Sequence, residues 1–295
     1  MFQIKTATRY ITVLIGLWFG TSVMATCQSS GLQLQVLGSG GPGASAGRGS
    51  SAYVLWLNGR SRILLDAGGG SKTLFHQSGA SLGDTDLIAI SHFHPDHSSG
   101  LPAILWPSGA EFTLAGPDGN EVFPSVERFT QLLFEQGGVF AILGDRLEYE
   151  TVEVSTDGST ITEVWADSEL NVTGIGVPHA NVPTVGYRVD YGDLSIAFTS
   201  DQNGSNTQFI EFIRDVDFLV IHMIGSENAT GLMADLHAKP SVWGQMATEA
   251  GAGHVVVSHF SRSNAVALDE NLAILGANYD GPITVSEDLM CVDVR

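Results

Sequence analysis

Lysine is almost missing from this 295-residue sequence: it occurs three times, and arginine raises the cations only to 13 against 32 carboxylates, a formal net charge of −19. A protein that grips long RNA or DNA carries a basic face, because neutralising phosphates supplies most of its non-specific affinity. The opposite balance argues for a small substrate and against a long nucleic acid; it also helps to keep an exported chain in solution. Cysteine is equally scarce, with Cys27 and Cys291 near the two ends. An oxidising compartment would let them join the termini, and two unpaired thiols fit the sequence as well. Long apolar runs are lacking too. The run from Ile11 to Gly20, interrupted by Thr12, falls well short of the roughly 18 to 20 residues that cross a membrane.

That short run has another use. Lys5 and Arg9 precede it and the small-residue site Val23-Met24-Ala25 follows it, the pattern of a secretory signal. Residues 1–25 are therefore predicted to be a signal peptide and 26–295 the mature domain, periplasmic or secreted, with no transmembrane segment. Losing two cations and no anions takes the charge from −19 to −21. Lipid anchoring through Cys27 is a weaker alternative, because Thr26 is a poor residue to precede a lipidated cysteine. Nothing sets the oligomeric state; a homodimer is compatible.

What is present in quantity is hydrophobic residues, 43% of the chain, and 35 glycines. Leu32 to Gly38 reads as a strand that breaks into the glycine-rich loop Gly38-Ser39-Gly40-Gly41-Pro42-Gly43. Ser51 to Leu57 and Ser61 to Leu65 flank Asn58-Gly59, a hairpin signal. Further strands are predicted at 86–91, 146–154, 170–177, 184–190, 194–199, 218–222, 254–258 and 283–294. Helices are predicted at 125–135, 207–214, 241–250 with Ser241 as its cap, and 265–277. The stretch from Leu101 to Ser168 is the least legible. No internal repeat, low-complexity tract or linker interrupts the mature chain. Strand pairs mixed with helices fit an α/β architecture of two β-sheets packed face to face with helices outside.

The chemistry concentrates in Ser91-His92-Phe93-His94-Pro95-Asp96-His97, directly behind a predicted strand. Alternate residues of an extended chain point the same way, so His92 and His94 can aim two imidazoles at one ion, while the turn begun at Pro95 swings Asp96 and His97 toward a second. His179, Asp201 and His259 each follow an apolar strand-like segment: Gly174 to Pro178, Ile196 to Ser200 and Val255 to Ser258. Functional side chains in layered α/β folds gather at such strand ends.

In that order, with Asp66 ahead of them, these residues resemble the five motifs of the metallo-β-lactamase superfamily. The resemblance covers essentially the whole mature chain and implies the αββα four-layer sandwich and two zinc ions, with other divalent metals as the alternative. By it, His92, His94 and His179 would hold one zinc, and Asp96, His97 and His259 the other. Asp201 would bridge both, and Asp66 would support the ligand loop. A metal-bridging hydroxide would be the nucleophile. Asp201 argues against true β-lactamases, which lack a bridging aspartate, and His94 against flavodiiron relatives, which carry glutamate there.

Leu236-His237-Ala238 and Val257-Ser-His-Phe-Ser-Arg262 resemble the late motifs of the ribonuclease Z branch, in which a histidine about 22 positions before the last ligand protonates the leaving group; His237 stands 22 before His259. His237, Asp96 and Asp201 are thus the expected catalytic set. Two features depart from that branch. Its His-Glu-Ala-Thr segment is here His222-Met223-Ile224-Gly225, so the carboxylate that orients the catalytic histidine is missing; Glu227 and Asp235 are candidate replacements. Only 22 positions separate His179 from Asp201, too few for the branch's tRNA-clamping arm. The segments Leu37 to Gly41, Ser200 to Gly204 and Glu287 to Cys291 are similar to exported relatives, among them arylsulfatase-like enzymes and small phosphodiesterases. The expectation is an exported zinc hydrolase of a small ester, a phosphodiester or aryl sulfate. Alternatives are a lactone or thioester hydrolase, a ribonuclease Z-like endonuclease and a zinc-binding protein without turnover.

Overall fold

A computed structural model describes residues 27, 30–43, 47–107 and 109–294. The predicted signal peptide lies outside them. The first sheet has strand order β14-β1-β2-β3-β4-β5-β6, built from β1 (Leu32–Gly38), β2 (Ala52–Leu57), β3 (Arg60–Leu65), β4 (Leu87–Ala89), β5 (Ala110–Pro117), β6 (Leu147–Val154) and β14 (Met290–Asp293). The second runs β13-β12-β11-β10-β9-β8-β7, from β7 (Ile161–Ala166), β8 (Leu170–Val177), β9 (Thr184–Tyr191), β10 (Leu194–Phe198), β11 (Phe218–His222), β12 (His254–Ser258) and β13 (Ile283–Val285). Each sheet is mixed: β1 to β3 pair antiparallel and β3 to β6 parallel, while β7 to β10 pair antiparallel and β10 to β13 parallel.

Period-two alternation explains the layers. Leu34, Val36, Leu55 and Leu65 face Val172, Val185, Val189 and Ile196 in the core between the sheets. Their neighbours Leu37, Val54 and Trp56 point the other way, against helices α1 (Ser71–Ser78), α3 (Leu101–Leu105) and α4 (Val126–Phe134). On the outer face of the second sheet, Ala197, Leu219 and Val257 pack with Phe209 of α5 (Thr207–Phe212) and with Trp243 and Met246 of α7 (Pro240–Ala250). Strands buried on both faces make cavities costly: Leu55→Ala removes packing worth about 2 to 5 kcal/mol. Three short or late helices complete the set: α2 (Pro95–Ser98), α6 (Leu232–Leu236) and α8 (Arg262–Gly276). The architecture is the predicted αββα sandwich. No helix among the described residues is long and apolar enough to cross a membrane.

The Asn58-Gly59 turn has both residues at positive φ, 52° and 79°, as a two-residue hairpin requires. Three expectations need correction. The strand predicted over 283–294 is two strands on different sheets, because Asp288 turns the chain between them: its carboxylate accepts hydrogen bonds from the backbone of Ser39 and Gly49. The helix predicted to be capped by Ser241 begins at Pro240, whose missing N–H costs nothing in the first turn; Ser241 bonds Glu227 instead. The helix over 207–214 ends at Phe212. Cys27 and Cys291 form a disulfide with Cα atoms 5.6 Å apart. That pairing occupies the thiol a lipid anchor would need.

Candidate metal centre

The ligand loop is braced from beneath by Asp66, which directly follows β3 at φ 56°, in the left-handed region. One carboxylate oxygen accepts the Ser91 N–H at 2.7 Å; the other takes His97 Nδ1 at 2.7 Å and the Ser91 hydroxyl at 3.0 Å. Pro95 then opens α2 behind His94, and the His97 carbonyl accepts the Ala67 N–H at 2.7 Å. Gly68 passes so close to the Asp96 carbonyl that any side chain there would collide with it. From the other side the glycine-rich loop seats His259: a Cβ on Gly41 would lie 2.8 Å from the His259 ring, and Gly41 N–H donates to the Phe260 carbonyl at 2.9 Å.

Two groups of donor atoms result. His92 Nε2 lies 3.0 Å from His94 Nδ1, which is 3.5 Å from His179 Nε2. Beside them His97 Nε2 and His259 Nε2 are 2.9 Å apart, with Asp96 Oδ2 at 3.3 Å from His259 and 3.6 Å from His97. Asp201 faces both groups. Its Oδ1 is 3.5 Å from His259 Nε2, and its Oδ2 is 3.7 Å from His97 Nε2 and 3.9 Å from His179 Nε2. The far ring nitrogens are engaged elsewhere: His179 Nδ1 donates to the Leu236 carbonyl at 2.8 Å and His97 Nδ1 to Asp66. The near nitrogen of the neutral His179 ring is therefore a lone pair, aimed at the space it shares with His92, His94 and Asp201. Imidazole nitrogen with carboxylate oxygen, with the His97 and His179 rings each fixed by a second hydrogen bond, is a donor set that suits zinc.

Electrostatics agree. Burial pushes the pKa of His92 well below the ordinary value and lowers those of His94 and His179, keeping these rings neutral. Burial disfavours a charged His97 as well, but Asp66 and Asp201 outweigh it and raise its pKa. Burial likewise opposes ionisation of Asp96 and Asp201, and the surrounding imidazoles reverse it: the His259 hydrogen bond and the His97 charge hold Asp96 at about 2, and His259 and His97 hold Asp201 well below the carboxylate range. Both carboxylates are anions at neutral pH.

Every predicted site residue converges here. His237, buried after α6, places Nδ1 3.8 Å from Asp201 Oδ2 with its ring 5.2 Å from that of His179. Burial lowers its pKa to about 4, and Nδ1 has no hydrogen-bond partner. Neither candidate orienting carboxylate reaches it. Glu227 accepts from the Ser241 backbone and hydroxyl, fixing the start of α7, and Asp235 is exposed. Sequence reasoning missed His222, which is buried with Nδ1 2.9 Å from Asp201 Oδ1. The signal was present, since His222 ends the apolar run Phe218 to Ile221 just as His179, Asp201 and His259 end theirs.

The Beta-lactamase superfamily domain model matches residues 61–260, which span the ligands from Asp66 to His259. The chain belongs to the metallo-β-lactamase superfamily. It is a metallo-hydrolase of that fold, similar to the ribonuclease Z branch: ribonuclease Z of Thermobifida fusca is 25% identical over 302 residues, which cover 89% of this chain and 94% of that protein. Among solved structures, the metallo-beta-lactamase fold protein YhfI from Bacillus subtilis superposes with a TM-score of 0.70 at 18% identity, covering 88% of this chain and 98% of that one. The short form of human tRNase Z gives 0.67 at 22% identity over 89% and 99%. At these identities the two structures establish the shared fold.

Proposed function

We propose that this chain is an exported hydrolase that binds two zinc ions and cleaves a small ester, a phosphodiester or aryl sulfate. The observation that carries the reading is the shared carboxylate: Asp201 faces both donor groups, with its two oxygens within 3.9 Å of His97, His179 and His259. His92, His94 and His179 would hold one ion, Asp96, His97 and His259 the other, and Asp201 both. Zinc held there would make water a competent nucleophile near neutral pH and would draw charge from the ester oxygens.

The chain's own groups supply the rest. His94 and Asp96 are the partly exposed members of the site, so substrate approaches from their side. His237, with an unpartnered Nδ1 beside Asp201, holds the proton that goes to the departing oxygen. An anionic ester drawn in beside it favours the protonated ring and offsets the lowering by burial. A cavity of about 450 Å³ opens next to His179, lined by Asn120, Asn181, Ser205 and Asn206 and by no lysine or arginine. Its size and polarity suit a small uncharged or hydroxylated substituent.

Four features favour a small substrate and export. All the chain between His179 and Asp201 is used in the loop before β9, the β9–β10 hairpin and the turn after it, leaving no segment for a tRNA-clamping arm. The net charge is −19. Residues 1–25 read as a secretory signal, and a disulfide suits an oxidising compartment. The similarity to ribonuclease Z over 89% of the chain favours RNA cleavage as a second reading. A panel containing bis(p-nitrophenyl) phosphate, p-nitrophenyl sulfate, a thioester, a lactone and a precursor tRNA separates them. Turnover of the phosphodiester or sulfate is expected; tRNA cleavage with no small-ester turnover would replace this reading with the nuclease.

A further inference from the structure

His222 belongs to neither donor group as drawn, yet it is buried between them, near enough to His97, His259 and Asp201 to be taken for a ligand. Its two ring nitrogens decide the matter. Nδ1 is 2.9 Å from Asp201 Oδ1, and Nε2 is 3.0 Å from the Tyr53 hydroxyl. An ionised carboxylate only accepts, so Nδ1 carries the hydrogen and donates it. A neutral imidazole has one N–H, which leaves Nε2 a lone pair, and the Tyr53 O–H must donate to it. With that proton committed, the Tyr53 oxygen is the acceptor for Ser258 Oγ at 2.9 Å. The Asp201 carboxylate at one ring nitrogen and the Tyr53 hydroxyl at the other thus favour the same tautomer of His222.

Read from the other end, the same chain has a source in the core. Tyr53 lies on β2 of the first sheet, packs on Phe198 of the second with ring centroids 5.4 Å apart, and is 1% exposed. Its hydroxyl touches the last residues of β11 and β12, His222 and Ser258, the latter directly before His259. We propose that Tyr53 and His222 are positioning residues for Asp201: the Tyr53 hydroxyl holds His222 in its Nδ1–H tautomer, and that N–H fixes the carboxylate at the angle from which it faces both donor groups. His222 then has no lone pair free for an ion. The inference rests on Asp201 lying between two ions, as proposed above, for its consequence; the hydrogen-bond chain itself stands without metal.

Two-bond ¹H–¹⁵N spectra of histidine-labelled, metal-free protein test the chain, with His222→Asn assigning the signal. The expected result is the Nδ1–H tautomer for His222 in the wild type and its loss or mixing in Tyr53→Phe, a change that keeps the ring in the core. Titration with zinc against a competing chelator tests the consequence. His222→Ala should bind zinc about 10- to 100-fold more weakly and Tyr53→Phe should lose less, while His222→Asn, whose amide N–H can stand near the Nδ1 position, should recover much of the loss. An Nε2–H tautomer in the wild type, no rescue by asparagine, or unchanged zinc affinity in both Tyr53→Phe and His222→Ala would overturn the proposal. Wild-type protein that takes up fewer than two ions would instead overturn the two-ion reading, with the tautomer still judging the Tyr53–His222–Asp201 chain.

Discussion

The first sheet delivers His92, His94, Asp96 and His97 on one six-residue stretch, whereas the second delivers His179, Asp201, His222 and His259 singly, at or just after the ends of β8, β10, β11 and β12. The stretch is held locally, by Asp66 and the Ala67–His97 hydrogen bond. The single residues are held by strand register, and the backbone is bent to aim them: Ala180, Ser200 and His259 sit at φ 49°, 54° and 62°. A non-glycine residue in that region costs about 1 kcal/mol or more, strain that the buried strands on either side must hold. The comparison teaches that half of this centre is a motif and half a property of the assembled sheet, joined across the core by Tyr53.

The largest expected effect comes from Asp201→Ala on the dispersed side. Removing the carboxylate that faces both donor groups should lower turnover by roughly 10³-fold or more while the variant keeps its fold, since the residue belongs to the site and not to the apolar core. Activity near wild type, with normal circular dichroism, would contradict the shared role. Next, His237→Ala should slow substrates with poor leaving groups by about 10²-fold and spare nitrophenyl esters, whose leaving groups depart without a proton. A uniform loss along a leaving-group series would mean that His237 binds the oxyanion and is not the acid.

Asp66→Asn probes the motif side. Its amide oxygen can still accept from Ser91 but no longer offers His97 a carboxylate, so zinc affinity should fall by about 10-fold at one site and far less at the other. Equal loss at both sites would show that the motif is not braced separately. The smallest effect concerns packing of the neutral rings. In the folded metal-free chain burial lowers the pKa of His222 and of His237 to about 4 from the ordinary 6.5, so between those values the unfolded chain binds more protons. Stability should therefore fall as pH drops from 6.5 toward 4 and level off below, by on the order of 1 to 3 kcal/mol, as read from urea midpoints. His97, raised in the fold, contributes stability at low pH and opposes part of this loss. Equal midpoints at pH 7 and 4.5 would show that these rings carry no such penalty.

How much of this was legible in the sequence follows the same division. His92 to His97 announced themselves by density, β1 and β8 by alternation of apolar residues, and β11 and β12 by short apolar runs, with the bounds the structure gives. Between Leu101 and Ser168 the pattern blurred because β6 and β7 are half exposed and the short 3-10 helix over Ala141–Arg146 has no apolar period of its own. The 283–294 segment read as one strand because hydropathy does not register the change of sheet at Asp288. Tyr53 was invisible for a different reason: on a strand buried on both faces, a tyrosine reads as core, and only the fold shows that its hydroxyl reaches His222.

The central claim is that the motif half and the sheet half meet on Asp201 to hold two ions. Elemental analysis of purified protein, after zinc loading and gel filtration, tests it most directly. About two zinc ions per chain are expected in the wild type and no more than one tightly held ion in Asp201→Ala. Saturation of the wild type at a single ion, with no gain in activity on adding more zinc, would contradict it.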